Sequence, residues 1–354
     1  MLLTRYIALE VIKGTVFAAF IFLSLLNFFT FADELGDLGT GNYGLKEIML
    51  YLLLSSPHNL YQLIPPSALV GSLMTLGAMA SHSELVAIQT AGGSRARIVQ
   101  AAMTGGLIVA LLSMLMGEFV APVAEQRAQA IKSMAMKHQI SSQSRYGFWI
   151  RDGSRFVNVR RIHGKSRLGD ISLYELDDSG HLLMAMHAST ATHNGNHWML
   201  SDINSTSPGH DSATSKHMEA LDWDSVLSPD MLNAFVVRPE NLSIVELSRY
   251  QNYMSENAQQ SLAVEQAFWG RLVNPLLTLA MLALALPMIM RFDRNVSTGR
   301  RAVTGISLGI GFYLMDRMLS HLGIIYELPP VMTALAPTAL VLTAAAVLNH
   351  RYRY

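Results

Sequence analysis

Gly14-TVFAAFIFLSLLNFFTF-Ala32 is a run of nineteen residues without one Asp, Glu, Lys or Arg, and Asp33-Glu34 closes it. A helix needs about 20 apolar residues to cross the ~30 Å hydrocarbon core of a bilayer, so this stretch predicts a membrane span. It does not read as a cleavable signal peptide, because no small-residue cleavage site follows it. Five similar stretches lie further on: Leu60–Ala80, Ile98–Gly117, Leu272–Met290, Ala302–Leu322 and Val331–Asn349. Only the fifth in order carries charge, the adjacent pair Asp316–Arg317. The six spans fall three and three around a polar insert, Pro122 to Glu265. This layout predicts a membrane α-helical protein of six transmembrane helices with one large inserted domain. It divides as residues 1–121, 122–265 and 266–354. Whole-chain averages conceal it: 51% of residues are hydrophobic and the formal net charge is zero.

Lys and Arg in short loops set orientation. One set of loops holds Arg5 and Lys13, Arg95 and Arg97, Arg291, Arg294, Arg300 and Arg301, and Arg351 and Arg353. The opposite short loops hold Lys46 alone. Both termini are therefore expected in the cytoplasm, and the insert outside it, in the periplasm of a Gram-negative cell. The chain has no cysteine, so an exported insert must be held by its own hydrophobic core rather than by disulfides.

That insert reads as β-structure. Gly147-Phe-Trp-Ile-Arg, Asp152-Gly153 and Ser-Arg-Phe-Val-Asn-Val predict two strands joined by a tight turn. Further strands are expected at Asp170–Leu176, His181–Thr192, His197–Ile203 and Lys216–Trp223, with turns at Asp177–Gly180 and Asn194–Asn196. Short strands at this spacing suggest a sandwich or jellyroll. Helices are expected on either side of it, Val123–His138 and Ser243–Gln260. Ile48–Leu54, ending at Ser55-Ser56-Pro57, reads as a separate interfacial helix. Pro65-Pro66 predicts a bend in the second span.

Catalytic chemistry is not legible. No G-x-x-x-x-G-K-[ST] phosphate loop occurs, so the chain has no visible means of hydrolysing ATP itself. Eight of the twelve histidines lie between His138 and His217. His187, His193 and His197 cross a turn with no acidic ligand in register, so no metal site is assigned. No cofactor and no nucleic-acid partner are expected.

The loop between the second and third spans carries the clearest functional signal: Ser81-His-Ser-Glu84-Leu-Val-Ala-Ile-Gln-Thr-Ala-Gly92-Gly93-Ser-Arg95. Ser81-x-x-Glu84 fits a capping box, Leu85, Ile88 and Gln89 share a helical face, and Gly92 is a natural stop. A short surface helix over about 81–92 follows. It is either a helical connector or a coupling helix that docks into a separate motor subunit.

Ser-Glu-Leu-Val-x-x-Gln-x-x-Gly here resembles the coupling segment of the LptF/LptG permeases of the lipopolysaccharide export transporter. Arg5-Tyr6-Ile7, Gly117-Glu-x-Val-Ala-Pro122, Trp149-x-x-Asp152-Gly153-x-x-Phe156-Val157, Val303-Thr-Gly-Ile-Ser307, and Phe312-Tyr313-x-x-Asp316 followed by Pro329-Pro330 extend the resemblance along the chain. They look like the LptG half of that family rather than the LptF half. The resemblance implies a periplasmic β-jellyroll between the third and fourth of six helices. It implies a heterodimer with LptF, two copies of the ATPase LptB, and LptC. It implies extraction of lipopolysaccharide or lipooligosaccharide from a Gram-negative inner membrane toward the outer membrane, with ATP hydrolysed in the partner and not in this chain. The ATPase-coupling residues would be Ser81, Glu84, Leu85, Ile88, Gln89, Gly92 and Arg95. The substrate cavity would draw on Phe28, Thr30 and Phe31 of the first helix, Leu69 of the second, and Phe312, Asp316 and Arg317 of the fifth. Some family members carry lysine near the outer end of the first helix; Thr30-Phe-Ala-Asp33-Glu-Leu-Gly-Asp37 is neutral to acidic instead. The lipid headgroup would then be met by partner residues, by divalent cations at Asp33 or Glu34, or by Arg317.

The alternative is a mechanotransmitting permease half that moves no lipid. A secondary transporter is disfavoured, since no inverted repeat or broken midplane helix pair is visible. A periplasmic scaffold would leave the cytoplasmic helix unexplained. The orientation has a direct test in a chain with no native cysteine. Asn194→Cys should react with an impermeant thiol reagent supplied from the periplasmic side, and labelling only after the inner membrane is broken would invert the topology.

Overall fold

The computed structural model describes residues 2–136, 148–152, 155–162, 166–177, 179–195, 197–209, 212–223, 238–257, 259–291 and 298–351. Gly147, Gly153, Asn196, His138, Arg294 and Arg353, used in the sequence reading, lie outside the described residues. The helices are α1 Leu2–Glu34, α2 Leu45–Ser81, α3 Glu84–Thr90, α4 Arg95–Leu115, α5 Ala121–Ala135, α6 Ile244–Glu256, α7 Leu262–Arg291, α8 Thr298–Ile325 and α9 Pro330–Arg351. A π-helical turn, Met116–Val120, joins α4 to α5. The strands are β1 Phe148–Asp152, β2 Arg155–Ile162, β3 Arg167–Leu176, β4 Leu182–His193, β5 Trp198–Pro208 and β6 Ala213–Trp223. The chain is thus a helical membrane protein with an inserted antiparallel β-sheet.

Among the described residues, five helical stretches are long and apolar enough to cross a membrane: those beginning at Leu2, Leu45, Arg95, Leu262 and Pro330. The remaining long helix, α8, has the length, at 28 residues, and carries Arg301, Asp316 and Arg317 within it. Contacts divide the chain into two compact units, Met1–Gly36, Met49–Glu125 and Leu262–Tyr354 against Asp37–Ile48 and Gln126–Ser261.

The first unit is built around one apolar cluster. Ile7 and Val11 of α1 meet Leu69, Leu73 and Leu76 of α2, Ile98 and Ala102 of α4, and Met281 and Ala285 of α7. Close helix approach comes from glycine. A Cβ placed on Gly71 would fall on the backbone carbonyl of Gly14, and one on Gly14 would fall on the carbonyl of Gly71. Backbones touching at small residues are how helices gain contact in lipid, where apolar surface alone supplies no drive to associate.

Two expectations are corrected in α2. Ile48–Leu54 is not a separate interfacial helix, and Ser55-Ser56-Pro57 does not end it; α2 runs unbroken from Leu45 to Ser81 with Pro57, Pro65 and Pro66 inside. Proline removes one backbone donor per ring. Beside the prolines, Ser56 and Ser67 turn their hydroxyls back onto their own i−4 carbonyls, Leu52 and Leu63, both at 2.6 Å. Burial of the helix then outweighs the cost of the interruptions.

The second unit holds the sheet. Its six strands are antiparallel and run in chain order, β1-β2-β3-β4-β5-β6. Alternate residues point inward, and Ile150, Val157, Val159, Leu168, Ile171, Leu173, Leu200 and Ile203 make its core. Trp198 and Trp223, paired across β5 and β6, close one end with rings 6.5 Å apart. The turns sit where Gly and Asx residues predict them: Gly180 at φ 84° and Gly195 at φ 95°. The Asp177 carboxylate accepts the backbone N–H groups of His181 and Ser179, which holds it below the usual carboxylate range. α6 begins at a complete capping box between Ser243 and Glu246, and Tyr253 donates to the Arg151 carbonyl at 2.9 Å, pinning that helix to β1.

The Gly14–Gly71 crossing leaves no room for a side chain. Gly71→Val should destabilise the helical unit by about 3 kcal/mol, at the upper end of overpacking. In purified protein this appears as a lower thermal midpoint and a reduced folded yield; an unchanged midpoint would show that the two helices do not touch there.

Candidate functional site

The loop singled out in the sequence is a short helix, α3. α2 does not stop before Ser81, as the proposed capping box requires; Ser81 is its last residue. This is a correction. A capping serine must adopt extended backbone so that its hydroxyl reaches the N–H three residues on. Ser81 is instead helical, and its hydroxyl turns back to the Gly77 carbonyl at 3.2 Å. His82 N–H still donates to Ala78, and Ser83 N–H to Ala80. The reversal falls on Ser83, whose φ of 62° is left-handed and whose side chain makes no cap. Gly92 at φ 91° ends α3, with Gly93 N–H returning to the Ile88 carbonyl. Ser94 then caps α4, accepting from Arg97 N–H at 3.3 Å, so that Arg95 opens the next helix.

Leu85 and Ile88 share the inward face as the sequence predicts, but Gln89, expected beside them, lies on the exposed side. Leu85 is buried in the apolar cluster of the membrane unit and Ile88 packs against it, while Val86, Gln89, Thr90, Gly92 and Arg95 are exposed. The helix is thus seated by one residue and presents a free outer face. Glu84, released from any capping role, accepts a hydrogen bond from the Tyr6 hydroxyl of α1 at 2.9 Å. Tyr6 and Glu84 edge a groove of about 450 Å³ together with Glu10, Lys13, Met79 and His82.

Arg301 occupies the first turn of α8 and is 1% exposed. Its Nη1 donates to the Gly77 carbonyl and to the Ser81 hydroxyl, the latter at 2.7 Å. Ser81 therefore belongs to this contact and not to the start of α3.

The cavity residues scatter. Phe28 is exposed and meets Phe29 edge to face at 5.8 Å. Phe31 and Thr30 are half-buried, and the Thr30 hydroxyl is turned onto the Leu26 carbonyl. Leu69 and Phe312 lie together in the core. Phe312 stands seven residues, two helical turns, beyond Gly305, whose position packs on Leu73 and Val70 of α2, so its ring follows the same inward face. Asp316 is half-buried. Arg317 donates through Nη2 to Gln62 Oε1 of α2 and stacks 5.5 Å over the Tyr313 ring. Gln62 in turn meets His58 Nε2 at 2.6 Å.

Sequence reasoning missed Tyr6, Gly77, Arg301, Gln62 and His58. From the sequence Arg301 reads as a loop cation, and a lone basic residue at a span edge carries no signal of its partner. Among the described residues no group of three or more His, Asp or Glu is placed to hold a metal ion. His187 is aligned with Asp170 at 3.7 Å and His197 with Asp222 at 3.3 Å, in separate pairs.

A bundle of membrane-length helices, an inserted antiparallel sheet and a short seated helix between two spans define a multi-pass permease-type membrane protein. The family described as "Lipopolysaccharide export system permease LptF/LptG" matches residues 5–351, and the chain belongs to it. Over 342 residues it is 33% identical to the lipopolysaccharide export system permease protein LptG of Escherichia coli strain K12, covering 95% of this chain and 94% of that protein. It is likewise 33% identical to the LptG of Haemophilus influenzae, over 96% of this chain and 95% of that one. The LptF of E. coli K12 is 30% identical over 115 residues, about a third of each chain.

The Arg317–Gln62 contact predicts a stability effect. Gln62→Leu, which removes a partner of a guanidinium inside the helical unit, should cost roughly 1.5–3 kcal/mol. Gln62→Glu, which keeps an acceptor, should recover most of it in a thermal-unfolding series. Equal midpoints for all three proteins would discount the contact.

Proposed function

We propose that this chain is one membrane permease half of an ATP-driven exporter that extracts lipopolysaccharide or lipooligosaccharide from the inner membrane and passes it toward the outer membrane. The observation that carries the reading is α3: a seven-residue helix anchored by Leu85, with Val86, Gln89 and Thr90 facing outward and Glu84 at its start. A small rigid knob on a membrane protein suits a groove on a separate motor. Family membership supports the rest. Similarity to LptG proteins over nearly the full length supports the export role, and weaker similarity to LptF supports an LptF subunit as the other half. Two copies of the ATPase LptB below the membrane and LptC beside it complete the assembly. Both termini are cytoplasmic and the sheet is periplasmic in this reading.

The division of labour follows. Residues 1–121 and 266–354 form the membrane path, and 122–265 the periplasmic domain. Glu84, Leu85, Ile88, Gln89, Gly92 and Arg95 meet the motor, with Ser81 behind them. Phe28, Thr30 and Phe31 face the lipid from α1. Asp316 and Arg317 serve the outer half of α8, with Leu69 and Phe312 supporting that wall from the core. The motor closes on ATP, pushes α3, and the helices that carry it narrow the cavity so that lipid leaves outward.

Glu84→Ala should reduce lipid released per ATP in proteoliposomes of the assembled transporter, because a charged contact at a partly desolvated interface is worth ~2–5 kcal/mol. Wild-type release per ATP would remove α3 from coupling.

A further inference from the structure

α3 hangs on a two-residue joint. Only His82 and Ser83 separate it from α2, and Ser83 holds a left-handed φ of 62° that a non-glycine residue adopts reluctantly. A force on a knob so mounted would first bend the joint. Two side-chain contacts cross the joint's surroundings from other helices.

The first is Arg301. Its guanidinium reaches from α8 to the last turn of α2, onto the Gly77 carbonyl and the Ser81 hydroxyl. Ser81 is the residue immediately before the joint. A cation at the C-terminal turn of a helix is also favoured by the helix dipole. Gly77 makes the space: a Cβ there would lie 2.9 Å from Arg301 Cδ and 3.1 Å from Nη1. The contact continues as a seam. A Cβ on Gly305 would lie 3.2 Å from the Leu73 side chain, and one on Gly309 would lie 3.4 Å from Pro66. The far end of the seam is closed by Arg317 on Gln62. Position 77 meets 301, 73 meets 305, 66 meets 309 and 62 meets 317, so α2 and α8 lie antiparallel and are pinned at both ends. The two pins are sixteen residues apart on α8, about 24 Å of helix at 1.5 Å per residue.

The second contact is Tyr6, whose hydroxyl donates to Glu84 at 2.9 Å. It ties the first residue of α3 to α1.

We propose that Arg301 and Tyr6 are positioning residues that brace the α2–α3 corner, Arg301 fixing the last turn of α2 to α8 and Tyr6 fixing the first residue of α3 to α1, so that a push on α3 is passed to both helices instead of being lost in bending at His82–Ser83. The braces are complementary. Arg301 holds the turn before the joint and Tyr6 holds the residue after it. Motion delivered to α3 is thereby carried along the pinned α2–α8 pair to Arg317, in the outer half of the span. The mechanical consequence rests on the coupling role of α3; the braces themselves do not.

The test uses the full chain assembled with its partner permease and ATPase. Spin labels at exposed positions Gln89→Cys and Val303→Cys report α3 against α8, and Gln89→Cys with Leu9→Cys report α3 against α1. The parent should give a single narrow distance in each pair, with and without nucleotide. Arg301→Gln should broaden the first distance and Tyr6→Phe the second. Lipid released per ATP should fall roughly tenfold in Arg301→Gln, the loss expected when a charged hydrogen bond is removed, and about threefold in Tyr6→Phe. Arg301→Lys, which keeps one cationic donor, should recover part of the loss; a purely structural role would not move the release-to-hydrolysis ratio. Narrow distances and parental ratios in both variants, beside an uncoupled Glu84→Ala, would overturn the braces and leave the coupling role standing. A parental ratio in Glu84→Ala with broadened distances in the two variants would keep the braces and remove the coupling role. Should Arg301→Gln fail to assemble, Tyr6→Phe decides the matter alone, since it removes one oxygen from an exposed side chain.

Discussion

Inside hydrocarbon there is no water to satisfy a polar group, so every guanidinium placed within the bundle must find oxygen on a neighbouring helix. Among the described residues Arg301, Arg317 and Arg271 do so, and each fastens two helical segments. Arg301 of α8 reaches the Gly77 carbonyl and Ser81 of α2. Arg317 of α8 reaches Gln62 of α2. Arg271 of α7 donates to the Gly117 carbonyl at 2.5 Å and lies 5.5 Å over the Tyr61 ring. The last contact falls in the π-turn Met116–Val120, where the altered hydrogen-bond ladder presents a carbonyl to an outside donor. Truncating one partner of such a contact is costly because the other stays buried.

Glycine decides where these contacts form. Gly77 gives Arg301 its place, Gly14 and Gly71 let α1 and α2 touch, and Gly305 and Gly309 let α8 lie on α2. Apolar burial alone cannot choose among helix registers in lipid, since tails and leucines are equally apolar. Shape at small residues and direction at charged ones supply the choice. The inserted unit follows different rules. Its sheet has an ordinary water-driven core, with Trp198 and Trp223 at one end, and needs no disulfide.

In the proposed coupling role, stiffness where α3 meets a partner matters more than any single reactive group. α3 is too short to be stable alone, since isolated helices of this length are marginal in water. It is helical because Leu85 is buried beneath it and Ile88 packs against the same cluster. The same anchoring makes it able to transmit force.

The six long helices, five of them apolar enough to span, the strands of the insert, and the existence of a short helix within the expected 81–92 are legible in the chain itself, because they depend on local composition: runs without charge, alternation, Gly and Asx at turns. The two capping motifs show where that legibility ends. Ser81-x-x-Glu84 and Ser243-x-x-Glu246 are the same pattern, yet only Ser243 caps a helix. Ser243 sits in extended backbone at φ −68°, ψ 164°, whereas Ser81 is held in helix by the packing of α2 and claimed by an arginine 220 residues away. Likewise Arg301 reads as a loop charge until α8 is laid on α2. Sequence by itself determined which segments are long and apolar enough to cross a membrane, since that depends on each segment's own transfer energy. The tertiary structure alone decided which polar groups meet, since a buried hydrogen bond depends on which two helices come within ~3 Å of each other.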